Sequence, residues 1–363
     1  MQYDTVTRHH VVCPAPRSVW DEVLVADSGA TIYQTPAWFD MAIEVTGAAD
    51  VSRLYETEDG RRLILPMLRR QLLPGFALDD SYPARLGSGG GLLASGGLRV
   101  EDVRHVLSDL LHTPAISTRI KANHDTASRW EAGLVPGVNT MPRRVEVLDL
   151  DGGFSRVWNK RFQYSARKAV RKAEGSGLVV ERDTTGQLVS TFYQLYLHWT
   201  NRRAAESGMP RSVALRLARR REPLRLFESV ARSLGEKCRI WLARHNGEAV
   251  ASLMTLVHGD HAVSWRGYSR KELAGPLRAN NLLQRLAIED ACDAGCRFYS
   301  MGESGGVAAL EHFKYTLGAT PREGVECRIE RLPLTRIERF KGRAEAQAAR
   351  LLTAGLRPRG RSK

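Results

Sequence analysis

At 363 residues the chain is too long for one ordinary hydrophobic core, so two units of roughly 150 to 200 residues are expected. Its 43% hydrophobic and 26% charged residues exclude a disordered chain, and no run approaches the roughly 20 apolar residues of a membrane-spanning helix. With 54 Lys+Arg against 40 Asp+Glu, the formal charge of +14 favours polyanionic partners such as RNA, an anionic membrane face or a phosphorylated substrate.

The start, MQYDTVTRHHVVCPAP, lacks the charged-then-apolar plan of a signal peptide, which gives a cytoplasmic expectation. Five scattered cysteines without a CxxC pair suit reduced thiols. Cys292 and Cys296, four apart on an expected helix, could form half of a metal site. With no paired His/Cys cluster nearby, they read as small buried residues, and no metal is assigned.

In chain order, residues 1–150 read as a mixed first unit. Helices are expected over 15–25, 37–47 and 100–112, and strands over 51–57, 61–71 and 144–150, the first two separated by the turn 58-EDG-60. The glycine-dense stretch 81-SYPARLGSGGGLLASGG-97 matches neither the Walker pattern nor GxGxxG, so a close-packed backbone turn is favoured over a phosphate cradle.

A second unit spans 151–332 and opens with 155-SRVWNKRFQYSARKAVRKAEGSG-177. Helical spacing puts Trp158, Phe162, Ala166, Ala169 and Ala173 on one side. Arg156, Lys160, Arg161, Arg167, Lys168, Arg171 and Lys172 fall on the other, with no acidic residue between 156 and 172. Such a face repels itself unless phosphates, or carboxylates from elsewhere, neutralise it. Helices follow over 187–205 and 211–235, both carrying arginines. The period then becomes two, and 238–245, 248–258 and 261–269 read as antiparallel strands joined by Asn246-Gly247 and Gly259-Asp260. After them come a helix (279–295), a strand (296–302), the helix of 309-ALEHFKYTLGA-319 and a strand (323–332). A cationic helix and tail are expected over 333–363, and no internal repeat is visible.

This order over 238–332 resembles a GNAT acyltransferase domain. The pieces 33-YQTPAWFD-40, 81-SYPARLGSGGG-91, 161-RFQYSARKAVRKAEGSGL-178, 191-TFYQLYLHWTNRR-203, 278-RANNLLQRLAIEDACDAG-295 and 310-LEHFKYTLGA-319 resemble, in order, the FemAB-like branch. The resemblance implies an α+β fold of two tandem GNAT-like units, each a mixed, mostly antiparallel sheet flanked by helices, with a basic helical insertion at 155–235 in the second. It also implies transfer of an acyl or aminoacyl group to an amine, the donor being aminoacyl-tRNA or acyl-CoA.

The local chemistry bears on that choice. A GNAT holds the CoA pyrophosphate at the N-terminus of its central helix, but the matching 270-RKELAGPLRANN-281 has Pro276 and lacks spaced glycines. Arg278 and Asn280 lie where a donor phosphate would be met; Arg278 could equally be a surface arginine beside a turn. By resemblance, the lysine of the Phe313-Lys314 pair serves the donor's reacting end, where a cation would stabilise the tetrahedral oxyanion by on the order of 3 kcal/mol. A plain cap on the helix C-terminus is the bland reading of Lys314. Phe313 is then a core anchor or a stacking surface for the terminal adenine, and the resemblance adds Trp38 and Tyr82 to the substrate-binding set.

Glu303 could accept the proton of the attacking amine, orient that amine, or cap the following helix. His10, His198, His258, His261 and His312 show no triad-like spacing. The expectation is thus an aminoacyltransferase with no tightly bound cofactor. Lys160, Arg161, Arg167, Lys168, Arg171, Lys172, Arg202 and Arg203 would contact tRNA, and a small-molecule or peptide amine would be the acceptor. The alternatives are an acyl-CoA N-acyltransferase and a binding module without chemistry.

Overall fold

The computed structural model describes residues 11–82, 86–87 and 89–332; the expected C-terminal helix and His10 lie outside the described residues. The first half of the chain forms β1 (Val11–Val12), α1 (Arg17–Ala26), α2 (Pro36–Thr46), β2 (Ala49–Asp50), β3 (Arg53–Glu56), β4 (Arg62–Leu65), β5 (Leu68–Leu73) and β6 (Phe76–Asp80). It continues through β7 (Leu93–Ala94), α3 (Val100–Leu110), β8 (Ser117–Lys121), α4 (Ala127–Ala132) and β9 (Val138–Asp149). The second half adds α5 (Gly153–Arg156), α6 (Tyr164–Glu174), β10 (Leu178–Asp183), α7 (Val189–Ser207), α8 (Arg211–Arg221) and α9 (Leu224–Leu234). It ends with β11 (Cys238–His245), β12 (Glu248–His258), β13 (His261–Ser269), α10 (Lys271–Leu277), α11 (Ala279–Asp293), β14 (Phe298–Ser300), α12 (Ala308–Thr316) and β15 (Thr320–Glu330).

Local chemistry sets these boundaries. Thr35 caps α2 by accepting from the Trp38 amide at 3.2 Å, Pro36 occupies the first helical position, and Gly47 closes the helix at φ 68°. Three expectations need correction. The helix over 211–235 is two helices, because Pro223 lacks the amide that would continue the first. The segment 155–177 is also broken: a π-helical turn over Val157–Arg161 ends at the extended Phe162, and α6 starts afresh at Tyr164. The strand over 61–71 is split at Pro66–Met67 into β4 and β5, which enter different sheets.

Four strands form a small sheet, β1-β3-β4-β7, and an 11-stranded sheet runs β10-β11-β12-β13-β14-β9-β15-β8-β6-β5-β2. The boundary expected at 150 therefore divides the chain but not the sheet. Strand β9, the last of the first unit, lies between β14 and β15 of the second, paired with β15 from Val147 opposite Thr320 to Val138 opposite Ile329.

Strand alternation gives this sheet two apolar faces. On β12, Ala251 and Leu253 pack with α5, α6 and α11, while Met254 and Leu256 pack with α7, α9 and the first unit's α1 and α2. Helices α6 and α7 thus lie on opposite faces of one sheet. Among the described residues, no helix is long and apolar enough to cross a membrane.

Candidate active site

Strands β13 and β14 run parallel, but they pair only from His261–Phe298 to Val263–Ser300 and then part. On β13's other edge, Ser264 faces Thr255 and Arg266 faces Met254, so Trp265 is the extra residue of a β-bulge that bends the strand. Two adjoining chambers of about 580 and 520 Å³ open there, and both are lined by Trp199, Ser264, Trp265, Arg266, Met301 and Glu303.

The larger chamber is walled by Asn280, Leu283 and Gln284 of α11 and by Leu310, Phe313 and Lys314 of α12. Lys314 is only 3% exposed. Its Nζ donates to Glu146 Oε2 at 2.9 Å and to the Gly302 carbonyl at 2.7 Å; Ser304 Oγ donates to the same carboxylate oxygen at 2.9 Å. An ammonium has three donors, so one remains for a ligand. Burial lowers the pKa of Lys314 below the usual lysine value, opposed by Glu146, Glu303 and Glu311. α12 then closes on Gly318 at φ +86°, where a Cβ would come within 2.7 Å of the Arg161 carbonyl oxygen.

The smaller chamber lies against the first unit, walled by Tyr33, Tyr82, Gly87, Lys121 and Arg143 together with Tyr196, Arg221, Glu222 and Tyr268. Glu303 stands between the chambers. Its Oε1 meets Lys121 and its Oε2 meets Arg143 Nη2 at 3.1 Å. Lys121 also lies 5.6 Å from the centre of the Tyr82 ring, and burial lowers its pKa despite Glu303. Arg266 Nε meets Glu222 Oε1 at 3.0 Å while Tyr268 donates to Glu222 Oε2 at 2.9 Å. These pairs fix the chamber's polar wall.

Glu303, Lys314, Phe313, Asn280 and Tyr82 thus surround one cleft. Trp38 does not line it: the ring is buried, edge-on to Trp265 at 5.8 Å and to Tyr33 at 5.1 Å, and supports the wall from behind. Arg278 is exposed, at φ 58° in the turn before α11, and lies outside both chambers' walls. The glycines after Tyr82 pack closely: a Cβ on Gly87 would come within 2.2 Å of the Tyr33 ring and one on Gly90 within 2.5 Å of Gln34. Residues 83–85 and 88 of that loop lie outside the described residues.

The expected cationic stripe divides. Arg161 pairs with Asp149 at 3.1 Å and Arg156 with Asp151 at 3.2 Å. Arg167 donates to the Trp158, Asn159 and Phe162 carbonyls, closing the π turn. Arg202 and Arg203 share Glu206 at 2.6 and 3.7 Å, and Arg202 also lines the larger chamber. For these residues the partners come from within the protein, the carboxylates from elsewhere that the sequence left open or, for Arg167, backbone carbonyls. Lys160, Lys168, Arg171 and Lys172 are exposed and have no ion pair among the described residues. Lys168, Arg171 and Lys172 lie on α6 and Lys160 on the π turn before it; α6 packs against α11 and α12, which wall the larger chamber, whereas Arg202 and Arg203 sit across the sheet.

The described histidines lie elsewhere: His198 meets Glu272 at 2.9 Å, and His261 is buried against Phe298 at 5.4 Å. Burial pushes the Cys292 and Cys296 thiols up to about 11. Among the described residues, no group of three or more His, Cys, Asp or Glu could hold a metal ion. Sequence reading missed Glu146, Lys121 and Arg143, which reach the cleft from first-unit strands. One signal existed for Glu146, a carboxylate set between Val145 and Val147 in the largely apolar run 145-VEVLDL-150.

Residues 160–315 match the model of the Acetyltransferase (GNAT) domain. The parted strands and the cleft between them agree with that match, which covers this region of the chain. Its architecture is Fem-like: the structure is similar to a crystal structure of FemX, with TM-score 0.64 and 13% identity over 87% of this chain and 96% of that one. It is also similar to a conserved protein of unknown function from Bacteroides thetaiotaomicron VPI-5482, with TM-score 0.57 and 9% identity over 88% and 100%. No curated protein matches the sequence.

Proposed function

We propose that the protein forms an amide by transferring an aminoacyl group from aminoacyl-tRNA to an amine. The observation that carries this reading is the placement of three exposed cations without an ion pair among the described residues, Lys168, Arg171 and Lys172, on the helix packed against both helices that wall the Lys314 chamber, with a fourth, Lys160, on the π turn before it. A nucleic acid held on α6 by its phosphates would present its 3′ end to that chamber, in a salt-sensitive contact blind to base sequence. Phe313 offers an aromatic surface for the terminal adenine.

In the reaction, the acceptor's amine nitrogen attacks the ester carbonyl carbon, the carbonyl oxygen takes the negative charge, and collapse expels the ribose oxygen, which gains a proton. Lys314, with one N–H unused, supports the oxyanion or the leaving oxygen. Glu303, between the chambers, orients the incoming amine and receives its proton. Among the described residues, four cations and two carboxylates line the smaller chamber, Lys121, Arg143, Arg221 and Arg266 against Glu222 and Glu303, which suits an acceptor carrying an anionic group. Charged tRNA as donor implies action in the cytoplasm.

Acyl-CoA is the second reading, supported by the groove between the parted strands. Helix α10 opposes it: amides in the stretch before α11 are spent locally, Ala274 on the Arg270 carbonyl and Arg278 on that of Gly275. Thermal melting separates the two. The aminoacyl-tRNA reading requires stabilisation by an RNA minihelix ending in an amide-linked aminoacyl-adenosine; stabilisation by CoA alone would replace it with the thioester reading.

A further inference from the structure

A third cavity, of about 280 Å³, opens where the first unit meets α8 and α9 and shares Arg221 with the smaller chamber. Leu68, Leu86 and Leu226 give it an apolar lining, and Arg70, Arg220, Arg221 and Arg225 also line it. Among the described residues, Arg70, Arg220 and Arg221 have no carboxylate partner, and Arg225 reaches only the Val45 carbonyl, at 3.3 Å. Asp80, the one acid in the lining, is held by both arms of Arg119.

Two apolar features flank this cavity. Beyond Arg70 the β5–β6 hairpin turns on Pro74 and Gly75, and its tip holds Leu72, Leu73 and Phe76 at 48%, 66% and 46% exposure. On α8, the buried side is Ala214 and Ala218, while Val213 and Leu217, 45% and 51% exposed, form a line that continues one turn on to Arg220 and Arg221. Large apolar side chains standing in water beside unpaired guanidinium groups need a partner that is apolar at depth and anionic at its surface. RNA would engage the arginines and leave the hairpin tip wet. A second copy in a two-fold contact would oppose like charges.

We propose that this face, the β5–β6 hairpin tip with α8 and the arginine-lined cavity between them, docks the protein on an anionic phospholipid bilayer. Leu72, Leu73 and Phe76 enter the headgroup boundary while Arg70 and Arg220 meet lipid phosphates.

The test is co-sedimentation of the full chain with phosphatidylcholine vesicles, with and without phosphatidylglycerol. The protein should pellet with the anionic vesicles alone. Leu72→Ser, Leu73→Ser and Phe76→Ser together should lower the bound fraction about tenfold with an unchanged melting temperature, because these side chains are exposed. Phe76→Trp gives a second readout, its emission shifting to the blue on anionic vesicles. No pelleting, or pelleting unchanged in the triple variant, overturns the proposal. So does binding that added RNA displaces without any change in Phe76→Trp emission, which would mark a polyanion surface, or a dimer in solution that the triple variant dissolves.

Discussion

Lys314 and Glu146 stand 168 positions apart in the chain, yet their charged groups meet at 2.9 Å with both side chains almost wholly buried. Glu146 comes from β9, contributed by the first unit, and Lys314 from α12 of the second. The lysine that faces the larger chamber is therefore set in place by the strand that joins the two halves. Lys314→Ala leaves Glu146 buried without its cation, which should cost about 3 kcal/mol in urea unfolding. Lys314→Met with Glu146→Gln should recover most of that stability, yet leave transfer depressed by roughly 10²- to 10³-fold. Recovery of transfer together with stability would reduce the pair to a structural role.

Charge reversal on α6 tests the RNA contact. Lys168→Glu with Arg171→Glu should weaken tRNA association about tenfold or more, and lower the slope of log affinity against log salt by roughly two, in filter binding across a salt series. Arg203→Gln should have a much smaller effect, because Arg203 already faces Glu206 across the sheet from α6. Unchanged affinity in the α6 double variant would remove that helix from the account.

Gly318 closes α12 against the π turn. Gly318→Ala introduces both a positive φ for a side-chain residue and a Cβ 2.7 Å from the Arg161 carbonyl oxygen, so a loss of about 2 kcal/mol is expected in thermal or urea unfolding. A melting temperature equal to wild type would show that the turn relaxes without cost.

A stability change on acidification should trace to His258. Burial, reinforced by Lys237 and His261, pushes this imidazole down to about 4 from the ordinary 6.5. Between those values the unfolded chain binds the proton more readily, so the group's contribution is intact above pH 6.5 and is lost as the pH falls towards 4. The loss is on the order of 1 kcal/mol after allowance for partial exposure. Urea midpoints for wild type and His258→Gln should converge as the pH is lowered through this window.

The sequence reveals much of the second unit because its signals are local. Asn246-Gly247 and the alternation around it define β11 and β12, and the Phe313-Lys314 helix ends at Gly318 as its composition suggests. Strands β6, β8 and β10 escaped detection. They are short, and for β8 the partner is remote: it pairs with β15 some 200 residues later, a relationship no window of sequence contains. The same distance hides Glu146, Lys121 and Arg143 from the site. Trp38 misleads in the opposite direction, since its motif is right for the fold while its ring only buttresses Trp265.

The product of one reaction tests aminoacyl transfer from tRNA most directly. Wild-type protein is mixed with a charged total tRNA pool and a panel of candidate amines, and the amines are weighed by mass spectrometry. An amine heavier by one aminoacyl residue is the expected result, absent after ribonuclease treatment and strongly reduced with Lys314→Ala. A product that survives ribonuclease and appears only when acyl-CoA is supplied would contradict it.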